Sequence, residues 1–200
     1  IREKNERLRT ERALMAAEMQ KQSMNKLVDS MQKTIEAMAS TVEIRSPYTA
    51  GHQRRAARLA EAIAREMGLP DEEVHGILLA AMVHDIGDIQ IPAEILTRPR
   101  GLSALERELV QAHPQAGYDI LKGIDFSWPI AEMVYQHHER LDGSGYPRGL
   151  KGDEILMGAR VIAVADVVEA MSSHRPYRAS LGLEAALAEL EAHKGQAYEP

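Results

Sequence analysis

The first 45 residues carry apolar side chains at steps that alternate between four and three. The best-spaced members are Met24, Val28, Met31, Ile35, Met38 and Val42. Residues 1–45 contain neither Gly nor Pro, so one long helix is predicted there. Alternating steps of four and three are the a/d pattern of a coiled coil, and we expect a parallel homodimer along this seam. The alternative is one amphipathic helix that packs on its own domain.

Beyond residue 45 the apolar pattern changes to shorter helices separated by Gly and Pro. Ser46-Pro47 breaks the long helix, and the next helix is expected to end at Gly68-Leu69-Pro70, with Asp71 capping its successor. The segment Ser103-Ala104-Leu105-Glu106 has the form of a capping box, and a last helix is predicted over about residues 183–193. No segment has the alternation of a convincing strand, so the prediction is an all-α fold.

Composition narrows the partners and the chemistry. The chain has 24 Lys and Arg against 30 Asp and Glu, a net charge of -6, which argues against nucleic acid as the main partner. There is no Cys, so a metal site would have to use His and carboxylate ligands. No apolar run approaches membrane-spanning length and no signal peptide is visible. We expect a cytoplasmic fragment of a larger protein, cut at Ile1.

The apolar run Ile77–Val83 leads directly into the titratable pair His84-Asp85. Burying this carboxylate is costly unless a cation or hydrogen bonds compensate. Taken alone, the pair is better explained as a helix end that faces water, and a lone His52 as a packed core residue. The number of similar residues favours a metal site instead: His52, His84, Asp85, His113, His137, His138 and Asp166.

A helical bundle could bring these histidines and aspartates together, as happens in dimetal helical bundles. A set without sulfur suits Fe, Mn or Zn. Asp85 has two oxygens and can bridge two ions, which can share a hydroxide and clamp an in-line displacement at phosphorus. Spacing alone favours a metal site and leaves open whether it holds one ion or two.

The order of these residues resembles a known family. His52, His84-Asp85 and Asp166 match the H…HD…D pattern of the HD superfamily of metal-dependent phosphohydrolases. Residues 137–147 read H-H-E-R-L-D-G-S-G-Y-P and resemble the HD-GYP family. Members of that family are bacterial phosphodiesterases that hydrolyse the second messenger cyclic di-GMP.

The resemblance covers about residues 46–200 and implies an HD-superfamily helical bundle, preceded by the coiled-coil helix of residues 1–45. In the family a sensory domain usually lies upstream, and the long helix would join it to the bundle. The expected division is therefore a signalling and dimerisation helix at 1–45 and an HD-GYP domain at 46–200, whose C-terminus is expected to be truncated.

The resemblance also implies two metal sets that share one residue. The first would be His52, His84, Asp85 and Asp166, and the second Asp85, His113, His137 and His138. The ions would be Fe, or Mn. Some members bind a third ion through a Glu one turn before the first His, but Tyr48 stands there, so two ions are expected. Tyr146 would contact the dinucleotide, and Arg175 and Arg178 would bind its phosphate through their guanidinium groups.

One residue departs from the family pattern. Asp88 stands where the family motif H-D-I-G-K usually places a Lys near the substrate phosphate. A carboxylate there repels a dianionic dinucleotide, so turnover is expected to be weak unless Arg98 or Arg100 replaces the missing positive charge. In the enzymatic interpretation, Asp85 and Asp88 are the catalytic carboxylates. A hydroxide that bridges the metals attacks phosphorus and yields pGpG, with further cleavage to GMP left open.

Two alternatives remain. Asp88 favours a weakly active or inactive metal-loaded module that binds cyclic di-GMP or a partner signalling domain. A different HD-type phosphohydrolase that acts on nucleotides is the third interpretation, and the Gly-Tyr-Pro loop argues against it.

Overall fold

The structure is a computed structural model that describes residues 2–45, 51–99, 101–174 and 178–200. Within these ranges it is mainly helical and contains no β-strand, which confirms the all-α prediction. The α-helices are α1 (Arg2–Glu43), α2 (His52–Glu66), α3 (Asp71–Met82), α4 (Ala93–Leu96), α5 (Ala104–Gln111), α6 (His113–Leu121), α7 (Ile130–Gln136), α8 (Met157–Ser172) and α9 (Leu183–His193). Short 3₁₀ helices cover Ile86–Gln90 and Gly152–Glu154. No helix in the described ranges is both long and apolar enough to span a bilayer.

The chain divides into two compact units, Ile1–Ile35 and Glu36–Pro200. The long helix predicted for residues 1–45 is confirmed as α1, which has no Gly or Pro to interrupt it and runs through the boundary between the units. The second unit begins at Glu36, and the division at residue 46 that the family resemblance implies stays a prediction.

The predicted seam of α1 contains two kinds of side chain. Met24, Val28 and Met31 are 57%, 44% and 37% exposed, so this part of the stripe remains available. Ile35 and Val42 are only 5% and 7% exposed within a single chain. The expectation that all six positions form an intermolecular seam therefore has to be shortened to its exposed members.

The core of the second unit rests on small aliphatic side chains, because aromatic residues make up only 4% of the chain. In α2 one stripe of alanines is fully buried, at Ala56, Ala60 and Ala64, and the helix packs against α3 and α8. Small side chains let helix backbones approach closely, and α6 likewise packs against α7 and the Ile86–Gln90 helix. This packing brings the start of α2, the end of α3 and the end of α7 into one region.

Two helix starts test the predicted caps. Ser103 and Glu106 form the capping box: Ser103 Oγ accepts from the Glu106 N–H at 3.3 Å, and Glu106 Oε2 accepts from the Ser103 N–H at 2.9 Å. The prediction for Asp71 was wrong. Pro70 is the N-cap residue of α3 and Asp71 is the first helical residue, where its exposed carboxylate accepts a hydrogen bond from Arg65.

Candidate metal centre

Three of the predicted histidines lie just after a helix, and the helix end orients each ring. Nδ1 of His84, His113 and His137 lies 2.8, 2.7 and 2.6 Å from the carbonyl oxygen of the residue three positions earlier. The last carbonyl groups of a helix have no partner within the helix, so a ring N–H can satisfy one of them. A carbonyl can only accept, so Nδ1 is the protonated nitrogen in each ring.

The second ring nitrogen of these histidines therefore carries a lone pair in the neutral ring. The ring of His84 is fully buried. Among the described residues, no group completes a hydrogen bond to its Nε2 atom. A buried ring nitrogen without a completed hydrogen bond is a candidate metal ligand.

Asp85 stands between two groups of rings and turns one oxygen to each. Its Oδ2 lies 3.2 Å from His84 Nε2 and 3.6 Å from His52 Nε2. Its Oδ1 lies 3.4 Å from His113 Nε2 and 3.8 Å from His137 Nε2. Burial alone would raise the pKa of this carboxyl, but His84 and His113 hold it well below its usual range.

The group on the Oδ2 side, here called the carboxylate-rich half, consists of His52, His84, Asp166 and Glu169. Asp166 projects from α8, and its Oδ1 lies 3.2 Å from His52 Nε2 and 3.8 Å from His84 Nε2. Burial would lower the pKa of His52, but Asp166 and Glu169 raise it above the ordinary value. Nε2 of both histidines thus faces two carboxylates, Asp85 and Asp166.

The group on the Oδ1 side, here called the histidine-rich half, consists of His113, His137 and His138. Burial, with the neighbouring His84 and His113 rings, lowers the pKa of His137 to about 3. Burial and His137 lower the pKa of His138 well below its usual range. Neutral imidazole is the form that binds a metal ion, so His137 and His138 can bind one without losing a proton. Burial would also lower the pKa of His113, but the adjacent Asp85 raises it above the ordinary value.

The contact between two of these rings also points to a cation. Nε2 of His113 lies 3.2 Å from Nε2 of His137, and both rings donate Nδ1–H elsewhere. Two lone pairs that face each other at this distance need a proton or a metal ion between them. The ligand atoms of Asp85, His113, His137 and His138 fall within 4.8 Å of one another, as do those of His52, His84 and Asp85. The donor set therefore fits metal ions on both sides of Asp85.

The Gly-Tyr-Pro loop is held against the histidine-rich half. The carboxylate of the buried Glu139 accepts from the N–H groups of Arg148 at 2.7 Å and Leu150 at 3.0 Å. The Tyr146 N–H donates to the carbonyl of His138 at 3.2 Å, and their rings stack at 4.7 Å between centroids. Tyr146 is thus fixed beside a predicted metal ligand.

Asp88 lies on the opposite side, next to the carboxylate-rich half. It lines a small cavity together with His52, Asp85 and Leu96. Burial, with the nearby Asp85 charge, raises the pKa of Asp88 to about 6. Arg98, the proposed substitute cation, forms an ion pair with Glu106, so its charge is already neutralised.

The predicted phosphate-binding arginines are less fully described. The Arg178 guanidinium donates to the carbonyl oxygens of Ala170 at 2.8 Å and Ala179 at 3.4 Å, at the end of α8. Arg175, Tyr48 and Arg100 lie outside the described residues.

Sequence reasoning missed several residues that support the site. Glu169 accepts a hydrogen bond from His52 Nδ1, and it follows Asp166 by three residues on one face of α8. That helical spacing was the available signal. The end of α1 also contributes: Glu43 accepts from the N–H groups of Gly51 at 2.9 Å and Gln53 at 3.2 Å, on either side of His52.

Arg45 makes a matching contact with the segment that follows Asp85. Its guanidinium donates to the carbonyl oxygens of Asp88 at 3.1 Å and Ile91 at 2.8 Å, and also to that of Ile89. Glu43 at the end of α1 and Arg45 in the turn that follows therefore contact both segments that carry the carboxylate-rich half.

Comparisons with known proteins agree with this geometry. A family profile described as an HD domain matches residues 36–200. The cyclic di-GMP phosphodiesterase response regulator RpfG of Xanthomonas campestris is 38% identical over all of this chain and 53% of its own length. The 3'3'-cGAMP-specific phosphodiesterase 3 of Vibrio cholerae is 40% identical over 79% of this chain and 34% of its own length. The chain thus spans about half, or a third, of these relatives.

A solved structure supports the fold. Bd1817, described as an HDG"Y"P protein, from Bdellovibrio bacteriovorus, superimposes with a TM-score of 0.61 at 20% identity. The match covers 74% of this chain and 47% of that one. The resemblance to HD-GYP proteins that residues 137–147 indicated is confirmed.

Proposed function

The chain belongs to the HD domain family, and we propose that it is a metal-dependent phosphodiesterase that hydrolyses cyclic di-GMP to pGpG. The observation that carries the proposal is the position of Asp85, whose two oxygens face separate groups of imidazole nitrogens. A carboxylate shared in this way suits two neighbouring cations, and two-metal sites are typical of enzymes that cleave phosphate esters.

Each ion would have its own ligands beside the shared Asp85. His52, His84 and Asp166 would hold one ion, and His113, His137 and His138 the other. A His and carboxylate set without sulfur suits Fe or Mn. When bound, two such ions supply a nucleophile from water at neutral pH and neutralise charge on the phosphoryl oxygens.

The chain's own residues would orient the substrate. Tyr146 is fixed by its stack on His138, which places a phenol at the edge of the proposed site. Arg178 and Arg175 would bind the phosphate beyond the end of α8, as the family resemblance implies. Asp88 would act close to the substrate on the carboxylate-rich side, where its raised pKa leaves part of the population uncharged near neutral pH.

The named relatives leave the choice between two cyclic dinucleotides to experiment. We expect cyclic di-GMP to be the preferred substrate, and 3'3'-cGAMP is the competitor to test. Protein loaded anaerobically with Fe²⁺, or with Mn²⁺, would be incubated with each dinucleotide and the products separated. Asp85→Asn keeps the shape of the side chain and is expected to give no product. Absence of product with both substrates at full metal occupancy would contradict the enzymatic proposal.

A second candidate function follows from Asp88, which places negative charge beside the proposed substrate site. In that case the metal-loaded domain would bind the dinucleotide or a partner signalling domain without cleaving it. Equilibrium dialysis with cyclic di-GMP distinguishes the two. Tight binding without turnover supports the binding module, and turnover rejects it.

We further propose that α1 pairs with α1 of a second copy through Met24, Val28 and Met31, which share one stripe and are exposed. In the family context α1 would connect an upstream sensory domain to the bundle, and the Glu43 and Arg45 contacts would carry its movement to the site.

Charge placed in the α1 stripe tests the dimer. Val28→Lys with Met31→Lys would put lysines into an apolar seam and is expected to yield monomer in sedimentation. A control with Asn25→Lys and Ser30→Lys adds the same charge elsewhere on α1 and should leave the dimer intact. An unchanged dimer in the first variant would place the interface elsewhere.

A further inference from the structure

His52 is oriented differently from the three histidines that follow helices. It is the first residue of α2, and a helix start offers N–H donors rather than carbonyl acceptors. Its Nδ1 instead donates to Oε2 of Glu169, which lies 117 residues further along the chain. Glu169 from α8 thus orients the ring of His52, whereas backbone carbonyls orient the three rings that follow helices.

Glu169 is itself held firmly on its second oxygen. Arg55 Nε donates to Oε1 at 2.8 Å, and Ser173 Oγ donates to the same oxygen at 2.7 Å. Arg55 follows His52 by three residues, so the ring and the guanidinium lie on the same face of α2. The carboxylate is 5% exposed, and its geometry is therefore set by protein groups rather than by water.

We infer that Glu169 is a positioning residue that keeps Nδ1 of His52 protonated and so directs the lone pair of the neutral ring to Nε2, the nitrogen that would bind an ion, with Arg55 and Ser173 holding the carboxylate in place. The inference rests on the proposed metal site. A carboxylate is the strongest common acceptor for a ligand imidazole, because it fixes the ring and raises the basicity of the opposite nitrogen. His52 would then be the ligand most dependent on tertiary structure.

A purely structural role for Glu169 makes different predictions. The Arg55–Glu169 ion pair joins α2 to α8, and its loss would lower stability whatever happens to the ring. Only the positioning role predicts a change in the tautomer of His52 and in metal affinity on one side of Asp85. The decisive measurements are therefore the protonation pattern of the ring and the affinity for a metal, not activity.

Glu169→Gln is the central variant, because it preserves size but can turn an amide N–H₂ toward His52. Nitrogen-15 NMR of the metal-free protein, at a pH high enough for the His52 ring to be neutral, should show its single proton on Nδ1 in the parent and a shift toward Nε2 in the variant. Competition with a chelator for Mn²⁺ should show one of the two sites weakened roughly 10- to 100-fold and the other unchanged. Wild-type tautomer and affinity in this variant would overturn the inference.

Matched variants separate positioning from helix docking. Arg55→Gln removes the ion pair but keeps the Glu169–His52 contact, so it should lower the unfolding temperature with less change in tautomer than Glu169→Gln. Ser173→Ala removes one donor and should have the smallest effect. Glu169→Asp keeps the charge and should restore part of the Nδ1-protonated form. Equal loss of Mn²⁺ affinity in Arg55→Gln and Glu169→Gln would mean that only docking matters.

The parent protein alone also tests the inference, should Glu169→Gln fail to fold. A neutral His52 ring whose single proton lies on Nε2 in the metal-free parent would overturn the inference. A parent that binds no Mn²⁺ would overturn the proposed function instead, while the tautomer of His52 would still report on Glu169.

Discussion

The two halves of the candidate metal centre present the same ligand atom, imidazole Nε2, but orient the rings by different means. In the histidine-rich half, His113 and His137 donate Nδ1–H to backbone carbonyls three residues earlier. In the carboxylate-rich half, His84 uses the same device, but His52 depends on Glu169 from α8. The ends of α3, α5 and α7 orient a ring locally, whereas the His52 ring takes its acceptor from a distant helix.

The two halves also differ in charge. Burial would lower the pKa of both His84 and His137, but Asp85 and Asp166 raise the pKa of His84 well above its usual value, whereas neighbouring rings help to lower that of His137 to about 3. The carboxylate-rich half has Asp166 as a second carboxylate beside the shared Asp85, so it is predicted to bind a divalent ion more strongly through charge. The histidine-rich half would depend more on exact ring placement.

The largest effect on metal content is expected from substitution of Asp85, the residue that both halves share. Asp85→Ala should remove both ions, whereas Asp166→Ala should remove mainly the ion of the carboxylate-rich half, because Asp166 Oδ1 lies close to His52 and His84. Elemental analysis after loading should give about two ions per chain for the parent, none for Asp85→Ala and about one for Asp166→Ala.

An exposed carboxylate provides the control for these metal counts. Asp119→Ala removes a carboxylate that pairs with Lys122 on the surface and should retain both ions. Equal metal content in Asp85→Ala and Asp166→Ala would rule out a shared ligand. Three ions in the parent would show that Tyr48 does not prevent a third site.

A smaller effect on metal content is expected from Gly87, where the backbone that follows Asp85 approaches the backbone of His113. A Cβ at Gly87, two residues after Asp85, would lie 1.9 Å from the carbonyl oxygen of His113. Gly87→Ala should therefore displace His113, destabilise the fold by at least about 1–3 kcal/mol, and lower metal content on the histidine-rich side. Thermal unfolding with and without Mn²⁺ measures both effects.

Gly101→Ala is the matched control, because a Cβ there would meet no atom within 4 Å. It should be neutral or slightly stabilising, since Ala restricts the unfolded chain. Equal unfolding temperatures for the two variants would mean that the close contact at Gly87 does not constrain the site.

The smallest predicted effect concerns the charge of Asp88. A carboxylate about 4–6 Å from a substrate phosphate would cost roughly 1–3 kcal/mol at an effective dielectric constant near 20. Asp88→Lys should therefore improve affinity or turnover for cyclic di-GMP by about one to two decades, with the gain shrinking as salt is added. Asp88→Asn should give a smaller gain, because it removes a charge without adding one.

Metal content measured beside turnover separates the other roles of Asp88. A loss of both metal content and turnover in Asp88→Lys would mean that Asp88 orients a metal-bound histidine. A loss of activity at full occupancy would contradict the repulsion account and support Asp88 as a catalytic group.

Much of the site could be predicted from local sequence. The Ser103 capping box formed as expected, and the helices end close to the predicted Gly and Pro positions. The pairs His84-Asp85 and His137-His138 follow apolar helices, where carbonyl groups without helical partners are always present. Local rules predict such features because the interacting groups lie within one helical turn.

Only the tertiary structure decided which groups meet across the fold. It assigned each oxygen of Asp85 to a different set of rings, and it brought Glu169 to His52 across 117 residues of chain. It also buried Ile35 and Val42, which share the periodicity of the exposed seam residues. A repeat along a helix defines which side chains share a face, but only packing determines whether a neighbour in the same chain already covers that face.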